Sequence, residues 1–338
     1  MNRKDFLSSV VPLITVANAV AETKKINEED SLKIPAYLKE GDIIGITCPS
    51  GFITQEEIQP AVLKLQEWGF QVKVGKTVGA KDFTFGGTDE LRTEDLQQML
   101  DDRDIDAILF GRGGYGAVRI IDNIDFTTFK KRPKWLIGFS DATVFHCHVN
   151  RNLGIATIHS KMCNSFPADW SQAEPSQIET INLIRKCLTG EKMQYTAVAN
   201  EKNRIGKSEG ILIGGNLSIL QNLAGTKSDI QTKNKILFVE DTGEYLYSID
   251  RMFWNLKRSG KLDKLNGLII GGFKTKPDDP GEEFGRTVYD IVDEVVKEFS
   301  YPVCFDFPVG HQKNNYALKC GVKHRLVVSA DGVTLKEV

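Results

Sequence analysis

The spacing in this chain that most directly invites chemistry is Gly138-Phe139-Ser140-Asp141-Ala142, where the apolar run 135–139 passes into a stretch with helical periodicity. Small residues two before and two after a serine permit the sharp strand-to-helix turn of a nucleophile elbow. Such a turn holds the hydroxyl outward and aims the following backbone N–H at the same reacting centre. Ala142 stands where the usual G-x-S-x-G pattern has its second glycine. The same residues also read as a plain helix cap, with Ser140 or Asp141 bonding first-turn amides.

A serine nucleophile needs a base that titrates near neutrality and an acid that fixes the tautomer of that base. The chain has five histidines. His311 lies in the polar stretch Val309-Gly310-His311-Gln312-Lys313-Asn314-Asn315, after the strand-like run 303–307, where an imidazole is reachable. His159 follows the strand-like run 154–158, His146 and His148 fall on opposite sides of the helix behind Ser140, and His324 opens a terminal strand. Each of these also reads as a structural or surface histidine. Glu240 ends the apolar run Ile236-Leu237-Phe238-Val239 and begins Glu240-Asp241-Thr242-Gly243-Glu244. An acid at the end of such a strand is placed to orient a histidine, and the chain order serine, acid, histidine occurs in other hydrolases. The second reading of this cluster is a set of carboxylates at the positive end of the next helix. The glycine-rich Gly111-Arg112-Gly113-Gly114-Tyr115-Gly116 follows the strand-like run 107–110. Tyr115 interrupts the dinucleotide-binding pattern, which leaves either a plain turn or a place where backbone amides approach a ligand closely, as an oxyanion hole requires.

Around these residues, short β-rich runs alternate with helical periodicity. The run 43–47 ends in Pro49-Ser50-Gly51, and Thr54 then caps a helix with Ile58, Val62, Leu65 and Trp68 on one face. This alternation predicts parallel βαβ units and an α/β fold. Between about 164 and 203 the pattern loosens around Pro167 and Pro175, which places a linker there. With 338 residues the chain is long enough for two domains. Its 43 Lys and Arg against 45 Asp and Glu leave no basic surplus for nucleic-acid binding. The six cysteines are scattered without zinc-ligand spacing and read as buried small hydrophobes, with a disulfide left open for an exported chain. The N-terminus combines the basic Arg3-Lys4, a short apolar run 10–16 and Ala17-Asn18-Ala19-Val20-Ala21, the parts of a secretory signal over residues 1–21 with a twin-arginine-like start. A periplasmic or exported protein is therefore expected, cytoplasmic residence being the alternative. No run reaches the length of a membrane span.

Four segments, Arg112-Gly113-Gly114-Tyr115-Gly116, Gly138-Phe139-Ser140-Asp141, Phe238-Val239-Glu240-Asp241 and Gly310-His311 with Asn315 and Gly321 beyond, together resemble the LD-carboxypeptidase family of serine peptidases (S66). Gly214-Gly215-Asn216-Leu217 and Asp250-Arg251-Met252 are further landmarks of that resemblance. Lys319 stands where the family's histidine loop usually has proline, and Ser160-Lys161 follow His159 where Gly-Pro is common. The resemblance implies an N-terminal α/β domain with a mostly parallel sheet (38–165), the linker (166–203) and a smaller β-rich C-terminal α/β domain (204–338). It implies Ser140 as nucleophile, His311 as base, Glu240 as orienting acid, and the backbone of Gly113, Gly114 and Asp141 as oxyanion hole. Arg112, Tyr115, Lys161, Asn216 and Arg251 are its candidates for substrate binding. The implied reaction releases a C-terminal D-amino acid from a murein tetrapeptide, without metal or organic cofactor. The implied partners are a small peptide or muropeptide and a second copy of the chain in a homodimer. The alternatives are the same chemistry on a peptidyl-nucleotide antibiotic or other amide, and a non-catalytic wall-peptide-binding protein.

Overall fold

A computed structural model describes residues 32–338. The signal-like segment 1–21 lies outside the described residues. Among the described residues thirteen strands run in chain order as β1 (Ile43–Thr47), β2 (Gln71–Val74), β3 (Ile105–Phe110), β4 (Trp135–Gly138), β5 (Thr157–His159), β6 (Gln194–Ala197), β7 (Gly206–Asn216), β8 (Lys235–Thr242), β9 (Gly267–Lys274), β10 (Val303–Cys304), β11 (Leu318–Cys320), β12 (Lys323–Val328) and β13 (Val333–Glu337). They form a six-stranded sheet in the order β11-β5-β4-β3-β1-β2 and a seven-stranded sheet in the order β10-β9-β8-β7-β12-β13-β6.

In the first sheet every pair among β2, β1, β3, β4 and β5 is parallel. Parallel neighbours need crossover helices on both faces, so the strands are covered on both sides and read as apolar runs. Trp135, Leu136 and Ile137 of β4 are accordingly all buried. The expected Thr54 cap is a full capping box: its hydroxyl accepts the Glu57 N–H at 3.1 Å while its own N–H donates to Glu57 Oε2 at 2.8 Å. Behind that cap Ile58, Ala61 and Leu65 face the core.

The second sheet is parallel from β10 through β9 and β8 to β7, then antiparallel through β12, β13 and β6. This mixture is the expected architecture, an α/β fold with a mostly parallel first sheet and a strand-rich second half. The stretch 166–203, expected as a linker, instead carries a regular helix (Pro175–Leu188) and β6. Pro175 falls in the first turn of that helix, where its missing N–H has no partner to lose, and Ile181, Ile184, Cys187 and Leu188 make the buried stripe.

The chain also doubles back. Leu318–Cys320 leaves the second half to pair antiparallel with β5 at the edge of the first sheet. Its Lys319 is fully buried, donating to Glu337 Oε2 at 3.0 Å and to Glu191 O at 3.1 Å, with its ammonium 4.8 Å from the Tyr37 ring centre. All six cysteines are buried with free thiols, and burial pushes those of Cys48, Cys187 and Cys320 up to about 12. No helix among the described residues is long and apolar enough to cross a membrane.

A buried charge left without its partner is far more costly than the pair is valuable. Glu337→Gln is therefore expected to lower unfolding stability by about 3 kcal/mol in a urea titration, whereas the double change Lys319→Met with Glu337→Leu recovers most of that loss.

Candidate active site

Ser140 stands at the carboxyl end of β4, in a single turn (Ser140–Ala142) that leads into the helix Thr143–Leu153. Its φ of +62° is left-handed, a conformation a serine adopts only where the surroundings impose it, as at a nucleophile elbow. A Cβ on residue 138 would come within 2.9 Å of Phe110 and 3.0 Å of the Ala142 Cβ, so Gly138 makes the room that allows alanine at the second small position. Neither the turn nor the helix has a side-chain cap bond, so the cap reading of Ser140 is not realised. The Asp141 carboxylate points elsewhere, accepting the Ser50 hydroxyl at 2.6 Å and the Ala117 N–H at 2.8 Å. Burial pushes this carboxyl up from its ordinary value, and those two donors pull the other way. One side chain thus ties the turn after β1, the glycine loop after β3 and the elbow after β4.

The glycine loop reaches the serine because it lacks side chains where it must be close. A Cβ on Gly113 would lie 3.1 Å from both Cβ and Oγ of Ser140. Its carbonyl accepts the Gly51 N–H at 3.0 Å. Arg92, wholly buried, donates to Pro49 O at 2.5 Å, Gly116 O at 3.0 Å and Gly87 O at 3.2 Å, which fixes the loop from below. Sequence reasoning missed both Arg92 and Ser50. The available signal was the apolar stripe Leu96, Met99 and Leu100, which puts Arg92 at the same helix face and so obliges its guanidinium to find carbonyls inside the protein.

Glu240 lies near the carboxyl end of β8, fully buried, where the pairing with β9 slips register between Val239 and Asp241. Such a bulge re-aims a side chain. The Glu240 Oε2 accepts the His311 Nδ1–H at 2.6 Å. His311 follows Gly310, whose φ is +106° and where a Cβ would be 2.5 Å from the Glu240 Cβ and 2.7 Å from its Oε2, so only glycine leaves this contact intact. Asn315 Oδ1 accepts the Gly310 N–H at 2.8 Å and fixes the loop. The His311 ring packs at 4.8 Å between centres on Phe139, the residue before Ser140. Residues from both sheets therefore converge, braced where the Asn216 N–H at the end of β7 donates to Thr143 Oγ1 at 3.1 Å in the elbow helix.

The other histidines pack within the fold. His146 bonds Gly138 O at 2.8 Å, and His324 bonds Val322 O at 2.9 Å. Burial lowers both to about 4. His148 bonds Ser228 Oγ at 2.9 Å, and burial holds His159, packed between Phe139 and Phe238, well below its ordinary value. Among the candidates for substrate contact, Lys161 belongs with the site: its ammonium donates to Gln312 O at 2.8 Å and sits 5.3 Å from the Phe139 ring centre. Burial lowers its pKa and the Glu240 charge opposes that. Arg112 donates to Phe52 O at 3.1 Å, and Tyr115 is exposed against Phe85. Arg251 is exposed on the helix Leu246–Arg258 beside Tyr247. Asn216 is different: its side chain caps the helix Leu217–Asn222, accepting the Ile219 N–H at 3.2 Å, and donates to Asp241 Oδ1 at 3.2 Å. Its Oδ1 also accepts the Ser218 hydroxyl at 2.7 Å.

With this geometry in place, comparison with known proteins is decisive. The model of the LD-carboxypeptidase N-terminal domain matches residues 44–160, and that of the LD-carboxypeptidase C-terminal domain matches residues 209–326. The chain belongs to the LD-carboxypeptidase family, S66. It is a hydrolase of the peptidase class. The family member named probable murein peptide carboxypeptidase of Bacillus subtilis is 31% identical over 291 residues, 86% of this chain and 90% of that protein. The crystal structure of muramoyltetrapeptide carboxypeptidase from Oxalobacter formigenes superposes with a TM-score of 0.77 at 27% identity, covering 87% of this chain and 98% of the other. The microcin C7 self-immunity protein MccF, solved with aspartyl sulfamoyl adenosine, gives a TM-score of 0.78 at 26% identity over 90% of this chain and 99% of that one.

Two outcomes follow for this family member. Gly310→Ala is expected to lower stability by about 1–3 kcal/mol in denaturant titration, and to abolish the low-field NMR resonance of the His311 Nδ1 proton. Asp241, whose carboxyl burial raises to about 6 from an ordinary 3.8, favours the protonated form in the folded state. Its contribution to stability is present below pH 3.8 and is lost as pH rises through about 6, so Asp241→Asn is expected to flatten unfolding stability across that interval.

Proposed function

We propose that Ser140, His311 and Glu240 act as a catalytic triad that removes a C-terminal D-amino acid, typically D-alanine, from a murein tetrapeptide. The observation that carries this reading is the 2.6 Å bond between His311 Nδ1 and the buried Glu240, with the His311 ring against the residue that precedes a left-handed Ser140. Glu240 holds the imidazole with Nδ1 protonated, which leaves Nε2 as the base. Ser140 Oγ attacks the carbonyl carbon of the L-centre while its proton passes to His311 Nε2. The C–N bond then breaks, and the same proton goes to the departing amine of the D-amino acid. Water adds to the acyl-enzyme, giving its proton to His311, and the ester bond to Ser140 breaks as Oγ recovers that proton. The amides of Asp141 and of the Gly113-Gly114 turn hold the oxyanion, a role supported by the close approach of residue 113 to Ser140.

A second substrate class, a peptidyl-nucleotide antibiotic, is supported by the likeness to MccF at 26% identity. The murein reading takes precedence on the 31% identity to the murein peptide carboxypeptidase. A non-catalytic binding protein is set aside by membership of a peptidase family.

The purified protein incubated with L-Ala-γ-D-Glu-meso-diaminopimelate-D-Ala is expected to show loss of one alanine by mass spectrometry. Ser140→Ala should abolish that loss, and Glu240→Gln should lower turnover on the order of 10⁴-fold. Cleavage that persists in Ser140→Ala would remove the serine from the mechanism. A folded parent that leaves this peptide intact yet takes up a serine-directed phosphonate would move the same chemistry to another substrate.

A further inference from the structure

Beside the histidine loop lies a cavity of about 480 Å³ whose lining includes Lys161, Ser165, Gln172, Glu174, Gln177 and Lys313. It adjoins the reacting groups through two of these residues. Lys161 donates to the carbonyl of Gln312, the neighbour of His311, and Lys313 is two residues beyond that histidine. Its volume falls in the range of sites that enclose whole small-molecule ligands, roughly 300–1,000 Å³. A single small amino acid leaving from the C-terminus does not need that room. The chain on the other side of the scissile bond does.

The lining also has a sign. Two ammonium groups face one carboxylate, and that carboxylate is already taken: Lys313 Nζ lies 2.7 Å and 3.0 Å from the two Glu174 oxygens, bridging the histidine loop to the start of the helix Pro175–Leu188. Glu174 stands at the N-cap of that helix without making a side-chain cap bond, so its charge is committed to Lys313. Lys161 makes no ion pair among the described residues, its only hydrogen bond being to a backbone carbonyl, which leaves donors free on a half-buried ammonium. Gln172, Gln177 and Ser165 add amide and hydroxyl groups suited to a peptide backbone.

We propose that this cavity is the acyl-side subsite of the enzyme: it takes the peptide N-terminal to the scissile bond, and Lys161 receives the free α-carboxylate of its γ-linked D-glutamyl residue. This rests on the reaction assigned above and names the part of the substrate by which the site tells one peptide from another. Lys313 and Glu174 form the outer wall, keeping the net charge of the lining at one positive.

Binding by full-length Ser140→Ala protein separates this subsite from the reaction, because no turnover is needed. In calorimetry the tripeptide L-Ala-γ-D-Glu-meso-diaminopimelate is expected to bind. The same peptide with D-isoglutamine in place of D-Glu is expected to bind about tenfold more weakly. Lys161→Met in that background should remove the difference between the two peptides. Because Lys161 also contacts the histidine loop, Lys313→Glu serves as the second variant. It lies on the surface, turns the lining acidic, and should weaken the tripeptide about tenfold while circular dichroism shows the fold retained. Failure of the tripeptide to bind, equal affinity for both peptides in the parent, or affinities unmoved by either lysine change would overturn the subsite. Binding of D-alanine alone that depends on Lys161 would overturn it too, by assigning the ammonium to the leaving group. If lysine-dependent binding holds but the Ser140 enzyme does not cleave the tetrapeptide, the subsite stands and the assigned reaction falls. If cleavage holds and binding ignores both lysines, the reverse is true.

Discussion

The hydrogen bond between His311 and the buried carboxylate of Glu240 is the contact to which the second half of the molecule is fitted. A carboxylate removed from water is tolerable only when its charge meets a donor, and here the donor is an imidazole N–H at 2.6 Å. That closeness dictates its surroundings. Residue 310 must be glycine to clear the Glu240 side chain, and residue 271 has the same constraint, since a Cβ there would sit 2.5 Å from Val309 O and 3.2 Å from the Glu240 Cβ. Val309 O accepts the Gly272 N–H at 2.9 Å, which stitches the histidine loop to the end of β9. The bulge opposite β9 and the Asn315 bond to Gly310 complete the same frame.

The first sheet supplies the other half by a general property of parallel α/β sheets. Strand order β2-β1-β3-β4-β5 reverses direction of growth between β1 and β3, and loops at the carboxyl ends of the strands around such a point leave a crevice. The turn after β1, the glycine loop after β3 and the elbow after β4 meet there through Asp141, Ser50 and Arg92. Because His311 and Glu240, proposed as base and orienting acid, come from the second sheet, the proposed chemistry depends on how the two sheets are held. The Thr143–Asn216 bond and the return of β11 to the first sheet do that. Misplacement by about 1 Å at such a junction costs a rate about a hundredfold.

Several side chains do work that their types did not announce. Asp141 was read for its backbone amide, yet its carboxylate is the tie between three loops. Asn216, a candidate for substrate contact, also caps a helix with Oδ1 and braces Asp241 with its Nδ2–H. The stretch 166–203 was read as a linker because its prolines and polar clusters interrupt the pattern, but a proline in the first turn of a helix starts structure as well as ending it. The partners of Asp141 lie 91 and 24 residues away, so its role as a tie follows from the packing of the loops.

Local chemistry by itself pointed to the strand-helix alternation, the helix cap at Thr54, the tight turn at Gly138-Phe139-Ser140 and the short list of histidines. These depend on steric and hydrogen-bonding preferences that act within a few residues, so they are written in the order of the amino acids. Which histidine meets which acid was decided only by the tertiary structure. Glu240 and His311 are 71 residues apart, and a bond between them exists because β8, β9 and β10 lie side by side. The cavity beside Lys161 has the same origin, since its walls come from the segment after β5, the helix Pro175–Leu188 and the histidine loop. Burial, which sets the cost of every charge in the site, is a property of the packed chain and has no value until the sheets close on one another.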